Sequence, residues 1–174
     1  RVIFSGVGKT PEEIAFALRS GILALNVESA EELAAVARAA GRLKRRAPVS
    51  VRLNPGVEAG GHRHISTGHA ETKFGVERAE AAALLKRAAR DRRLAAGGAQ
   101  CHIGSQVTAV APYRRALGSL LGLVRELAEG GARLKLVDIG GGMGIRYRDE
   151  RPLPVGELAR AVLSALRPWP GLKL

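Results

Sequence analysis

Leu134-Lys135-Leu136-Val137-Asp138-Ile139-Gly140-Gly141-Gly142-Met143-Gly144-Ile145 carries most of the architectural information in this chain. An apolar strand, Leu134 to Ile139, runs straight into three consecutive glycines. Glycine has no Cβ and tolerates positive φ, so such a turn can present bare backbone N–H groups to an anion, most often a phosphate. A dinucleotide fingerprint needs G-x-G-x-x-G, and the frame that starts at Gly140 ends on Ile145 instead. The plainer alternative is a tight turn without a ligand, and the glycines alone leave it open.

A second strand exit bears on that choice. Gln100-Cys101-His102-Ile103-Gly104-Ser105-Gln106 also follows an apolar run, Gly97 to Ile103, and sets an imidazole and a hydroxyl three residues apart. In parallel α/β sheets ligands bind beyond the carboxyl ends of the strands. Two such exits, one with glycines and one with His102 and Ser105, can line one pocket for a phosphorylated ligand.

Outward from these exits the chain alternates strand-like and helical runs. Val2 to Phe4 reads as a strand, and Thr10-Pro11-Glu12-Glu13 as an N-cap, a first-turn proline and a capping-box glutamate. Ile14, Ala17 and Leu18 form that helix's apolar stripe, and Gly21 ends it. A strand follows over Ile22 to Val27. Ser29-Ala30-Glu31-Glu32 is a second capping box, with Gly41 as the helix stop. Val49 to Leu53 is the third strand, closed by Asn54-Pro55-Gly56, and a polar loop runs from Val57 to about Gly75. Residues 78–90 are helical, Gly97 to Ile103 is the fourth strand, and Pro112 opens a long helix that Gly130-Gly131 ends. Leu134 to Ile139 is the fifth strand, Val155 to Leu166 a helix, and Leu172 to Leu174 the start of a sixth strand. This alternation predicts βαβ units with right-handed crossovers around a parallel sheet. A full eight-unit barrel takes about 250 residues. Five to six units are therefore either a small doubly wound domain or a slice of a barrel.

Composition narrows the class. The 174 residues are 46% hydrophobic and 25% charged, ordinary globular values with enough apolar residues for one core. No apolar run is long enough to span a membrane, no secretory signal is present, and one cysteine, Cys101, excludes an internal disulfide. A cytoplasmic setting is expected. A net charge of +12 invites a nucleic-acid reading, but the cations lie along helix faces and three Phe, two Tyr and one Trp leave few rings for base stacking. No nucleic-acid partner is expected. His62, His64 and Glu71 crowd one loop without any standard zinc spacing, so no metal is expected either. Gly8-Lys9-Thr10 imitates the end of a P-loop, yet position 3, where the pattern needs glycine, is Ile3. Residue 1 is Arg and a strand begins at once, so the chain is expected to be a piece of a longer protein.

Several segments taken together resemble the diaminopimelate decarboxylases, pyridoxal-phosphate enzymes of the alanine-racemase-like barrel class. They are Phe4 to Thr10, Leu25 to Ser29, Val51 to Pro55, His64 to Gly68, Thr72 to Gly75, Cys101 to Gln106 and Asp138 to Gly142, in the family's order and across nearly the whole chain. The resemblance implies a (β/α)8 TIM-type barrel, present in part, with residues 1–174 forming a partial pyridoxal-phosphate-binding domain. The first strands and a C-terminal β-domain would lie outside it. It implies decarboxylation of meso-2,6-diaminopimelate to L-lysine in a homodimer. The alternatives are a decarboxylase of the same class acting on ornithine, arginine or a carboxylated polyamine, and a non-catalytic barrel regulator.

The resemblance also implies residue roles. His102 would stack on the cofactor ring, and Ser105 with Gly140, Gly141 and Gly142 would hold its phosphate. Arg52, otherwise a plain surface cation, would brace the same pocket. Asp138 would brace the glycine turn rather than touch ligand. His64, Thr67, Gly68 and Lys73 would belong to a lid or substrate-side loop. The family's Schiff-base lysine lies upstream of these residues, and its Glu-Pro-Gly-Arg stretch is expected after Leu174. No catalytic residue is therefore assigned within the chain, which is expected not to catalyse alone.

Overall fold

The computed structural model describes residues 2–57 and 74–174. Within them five strands alternate with five helices. These are β1 (Ile3–Phe4), α1 (Pro11–Arg19), β2 (Ala24–Val27), α2 (Ala30–Arg42), β3 (Ala47–Arg52), α3 (Arg78–Arg90), β4 (Leu94–Gln100), α4 (Val110–Glu129), β5 (Leu136–Asp138) and α5 (Val155–Leu166). The strands pair in parallel in the order β1-β2-β3-β4-β5. A doubly wound sheet reverses its strand order at a switch point. This sheet never does, and it forms the curled half-barrel expected of a TIM-type slice. The start of a sixth strand is present as well, since Lys173 bridges Leu136 in parallel.

Local chemistry accounts for most boundaries. The Thr10 hydroxyl accepts the Glu13 N–H at 3.2 Å and the Glu13 carboxylate accepts the Thr10 N–H at 2.8 Å, a complete capping box. The second box forms only by half. Ser29 accepts the Glu32 N–H at 3.1 Å, but the Glu32 carboxylate turns to the Glu28 N–H and to Lys9. Gly41 does not stop α2, which continues to Arg42. Lys44, at φ 51°, takes the left-handed position instead, with Lys44 N–H bonded to the Gly41 carbonyl and Arg45 N–H to that of Ala40. That pair of bonds is a Schellman closure.

β4 starts three residues before the expected Gly97. Leu-Ala-Ala-Gly-Gly-Ala-Gln has little intrinsic strand preference, and pairing with β3 over six registered positions imposes the conformation. Gly98 is required there, because a Cβ would stand 2.9 Å from the Leu136 carbonyl oxygen.

Side chains alternate across the sheet. Val27, Val51, Ala99 and Val137 share one register row and are all buried. Val27, Val51 and Ala99 face the layer of helices, where the stripes of α1 to α4 meet them in one core. The opposite face carries Asn26, Ser50 and Gly98 in one row and Arg52, Gln100 and Asp138 in the next. The concave face is therefore polar toward the carboxyl ends of the strands. Among the described residues no helix is long and apolar enough to cross a membrane.

Candidate active site

That polar face opens into a cleft of about 470 Å³ at the carboxyl ends of the strands. Ser5 and Gly6 follow β1, Arg52 ends β3, Gln100 and His102 stand at the exit of β4, and Asp138, Gly140 and Gly141 at that of β5. The two strand exits singled out in the sequence thus meet at one cleft, with Arg52 on its wall.

Arg52 is fixed in place. Its Nη1 reaches both carboxylate oxygens of Glu28, at 2.8 and 2.9 Å, and its guanidinium carbon lies 5.4 Å from the centre of the Phe74 ring. Both members of the ion pair are largely shielded from water. The support extends backward. The Glu28 N–H donates to Glu32 at 2.7 Å, and Glu32 pairs with Lys9 at 2.7 Å. The Lys9 side chain is 2% exposed and also donates to the carbonyls of Gly6 and Asn26, at 2.5 and 2.7 Å. All three of its protons are used, so Lys9 is a buried strut between the exits of β1 and β2. Asn26 in turn donates through its amide nitrogen to the Ser5 hydroxyl.

The glycine turn is equally constrained. Asp138 accepts the Gly140 N–H at 2.7 Å, which makes it a brace as expected. The Gly140 N–H thus has an acceptor within the chain, while Gly140 itself lines the cleft. The N–H groups of Gly141 and Gly142 donate no bond among the described residues. Gly140 has φ +71°, and a Cβ there would stand 2.7 Å from the Cys101 carbonyl and 2.8 Å from His102 Nδ1. At Gly142, φ +85°, a Cβ would collide with the Gly104 carbonyl. These two glycines allow two strand exits to lie in contact. Gly141 is different, because open space surrounds the position of its Cβ and its φ is not positive.

Further stitching joins the exits. Val107 N–H donates to Gly142 at 2.9 Å and Gly144 N–H to Val107 at 3.0 Å. The Gln106 amide grips the Ile145 backbone from both sides, at 2.7 and 2.9 Å. Ser105 lies between, exposed, and neither it nor the half-buried Gly142 belongs to the cleft's lining. Cys101 faces the helices rather than the cleft. Burial, with a smaller push from Asp138, raises its thiol to about 12, so it stays protonated.

Glu28, Gln106 and Tyr113, whose hydroxyl donates to the Gly141 carbonyl, were not singled out by sequence reasoning. Gln106 lay inside a quoted motif. Nothing in the local pattern distinguishes Tyr113 from the apolar stripe of α4. His64, Thr67, Gly68 and Lys73, like His62 and Glu71, lie outside the described residues. Among the described residues no cluster of three His, Cys, Asp or Glu could hold a metal.

Comparison with known proteins follows this geometry. The family model described as "Pyridoxal-dependent decarboxylase, pyridoxal binding domain" matches residues 1–171. The diaminopimelate decarboxylase of Pseudomonas aeruginosa is 48% identical over 166 residues, covering 95% of this chain and 40% of that protein. That of Haemophilus influenzae is 42% identical over 174 residues, 100% of this chain and 42% of its own. The chain thus spans about two fifths of the length of these relatives. Diaminopimelate decarboxylase from Helicobacter pylori, solved with L-lysine, superposes with a TM-score of 0.91 at 37% identity, over 99% of this chain and 44% of that one. A structure of SrLDC with PLP and cadaverine superposes at 0.77 and 26% identity, over 98% and 40%. With a family model matched across nearly every residue and relatives this similar, the chain belongs to the pyridoxal-dependent decarboxylases, in their pyridoxal-binding domain.

Proposed function

We propose that these residues form the cofactor-binding part of a pyridoxal-phosphate-dependent decarboxylase that converts meso-2,6-diaminopimelate to L-lysine and carbon dioxide. The observation that carries the reading is the cleft itself, in which Gly141, whose N–H donates no bond among the described residues, stands with His102, while the Gly142 N–H, likewise without a bond among them, follows at the edge of the lining. The donor set fits the cofactor. A phosphate needs N–H donors and room to approach them, and Gly141 leaves that room open. A pyridine ring needs a flat partner, and the His102 imidazole offers one. Ser105 can add its hydroxyl from the adjoining turn. Arg52, held by Glu28 and Phe74, keeps a fixed positive charge on the wall.

When bound, pyridoxal phosphate supplies the electron sink for the charge left behind as carbon dioxide departs. The residues of this chain bind and orient. Their rigidity matters because binding groups fixed beforehand cost nothing to order when the ligand arrives.

The substrate assignment rests on the relatives named as diaminopimelate decarboxylases and on the solved relative that holds L-lysine. A decarboxylase of another basic amino acid is the second reading, favoured by the fold match to SrLDC with cadaverine. The remaining barrel strands and a C-terminal β-domain would complete the enzyme, as a cytoplasmic homodimer. No lysine lines the cleft among the described residues, so the 174-residue chain alone should not turn over.

The test is to assay the complete polypeptide containing these residues, loaded with pyridoxal phosphate, for L-lysine and carbon dioxide from meso-diaminopimelate. Turnover that falls at least a hundredfold with His102→Ala is expected. Faster release of carbon dioxide from ornithine, arginine or lysine would transfer the assignment to the second reading. No turnover of any of them would sink the decarboxylase proposal.

A further inference from the structure

Three bonds from three separate elements hold the glycine turn. Asp138 at the end of β5 takes the Gly140 N–H, Val107 in the segment before α4 donates to the Gly142 carbonyl, and Tyr113 on α4 donates to the Gly141 carbonyl at 3.0 Å. The third bond comes from a side chain 1% exposed, inside the core between α4 and the sheet. A hydroxyl that deep costs stability unless it finds an acceptor, whereas a phenylalanine would fill the space at no such risk. Burial also raises the phenol above its ordinary value, so the hydroxyl remains a donor.

The peptide plane converts this bond into a statement about the cleft. The Gly141 carbonyl and the Gly142 N–H belong to one trans peptide and point in opposite directions. With the carbonyl drawn back to α4, the Gly142 N–H faces away from α4, toward the open side of the turn. Gly141 has no Cβ and open space where one would stand, so no side chain of its own fixes this peptide plane, and the hydroxyl supplies that orientation.

We propose that Tyr113 is a positioning residue for phosphate recognition, setting the Gly142 N–H toward the anion by holding the carbonyl of the same peptide. This rests on the reading of the turn as the cofactor's phosphate cradle. Tyr113 never touches ligand, and its action is confined to the phosphate end of the cofactor.

The experiment uses Tyr113→Phe in the complete polypeptide and compares two probes, pyridoxal 5'-phosphate and pyridoxal, by equilibrium titration followed by cofactor absorbance. The variant keeps the ring and the core, so folding should be retained. Expected is about tenfold weaker binding of pyridoxal 5'-phosphate, the scale of one lost oriented hydrogen bond, with pyridoxal bound as before. The ³¹P resonance of the bound cofactor should shift in the variant. Equal weakening of both probes would mean a general structural loss and would overturn the proposal, as would unchanged binding of both. If the unsubstituted protein binds pyridoxal as tightly as its phosphate, the phosphate-cradle reading fails first and takes the proposal with it. Loss confined to the phosphorylated probe supports both.

Discussion

Three consecutive glycines have three different reasons to be glycine. Gly140 and Gly142 combine positive φ with backbone and imidazole atoms where a Cβ would stand, whereas Gly141 has neither constraint. Alanine should separate these reasons. Gly142→Ala is expected to destabilise the cofactor-free protein by about 2 kcal/mol or more, through left-handed strain and collision with Gly104. Gly141→Ala should leave its thermal melting unchanged and still weaken pyridoxal phosphate, because the new methyl points into free space at the cleft. Paired melting curves and cofactor titrations check this, and equal melting temperatures for the two variants would contradict it. Half of this was legible in the sequence. The run of glycines announced a turn at a strand exit, and His102 lay in a motif. Which N–H groups remain free was not legible, because it depends on Asp138, Val107 and Tyr113, the last of them 28 residues from its acceptor.

At the scale of elements, local signals were read well where they close locally. Thr10 and Glu13 cap each other within four residues, and the start of α1 followed. Ser29 and Glu32 have the same spacing, yet Glu32 serves Lys9 and Glu28 instead. A buried ammonium is a stronger claimant for that carboxylate than the neutral backbone N–H of Ser29. Lys9 and Glu32 thus join the loop after β1 to the first turn of α2, and Glu28 extends the link to Arg52. Lys9→Met should cost about 3 kcal/mol in denaturant unfolding, since it leaves a shielded carboxylate and two carbonyls without their partner. In a double-mutant cycle with Glu32→Gln, the two losses should sum to clearly more than that of the double variant. Additive losses would mean that the pair does not act as a unit. The boundaries of β4 were misjudged for the opposite reason: its alanines and glycines carry little preference of their own, and β3 supplies the template.

For the whole molecule, the alternation of strands and helices implied a parallel sheet, and sequential strand order selected the barrel over the doubly wound alternative. No periodicity encodes that order; it follows from which neighbour each strand finds. Among the described residues the outer edge of β1 pairs with no strand, while Phe16 on α1 and Val155 and Leu163 on α5 lie exposed. An unpaired edge beside uncovered apolar side chains favours association between chains. The 174-residue chain, prepared alone, is expected to self-associate in a concentration-dependent way, as measured by light scattering. A strict monomer over a hundredfold concentration range would show that the edge is protected.

Sequential order has a further meaning for how such a chain is made. Each strand lies against the one synthesised just before it, with one helix between them. On a ribosome, a newly emerged strand would find its template already outside the exit tunnel. Among the described residues no strand after β1 has to wait for a template encoded downstream, and the entropy of closing long loops is spread over short steps. The direction of translation and the direction in which this sheet grows coincide, so the order of the genetic message is also an assembly order for the half-barrel.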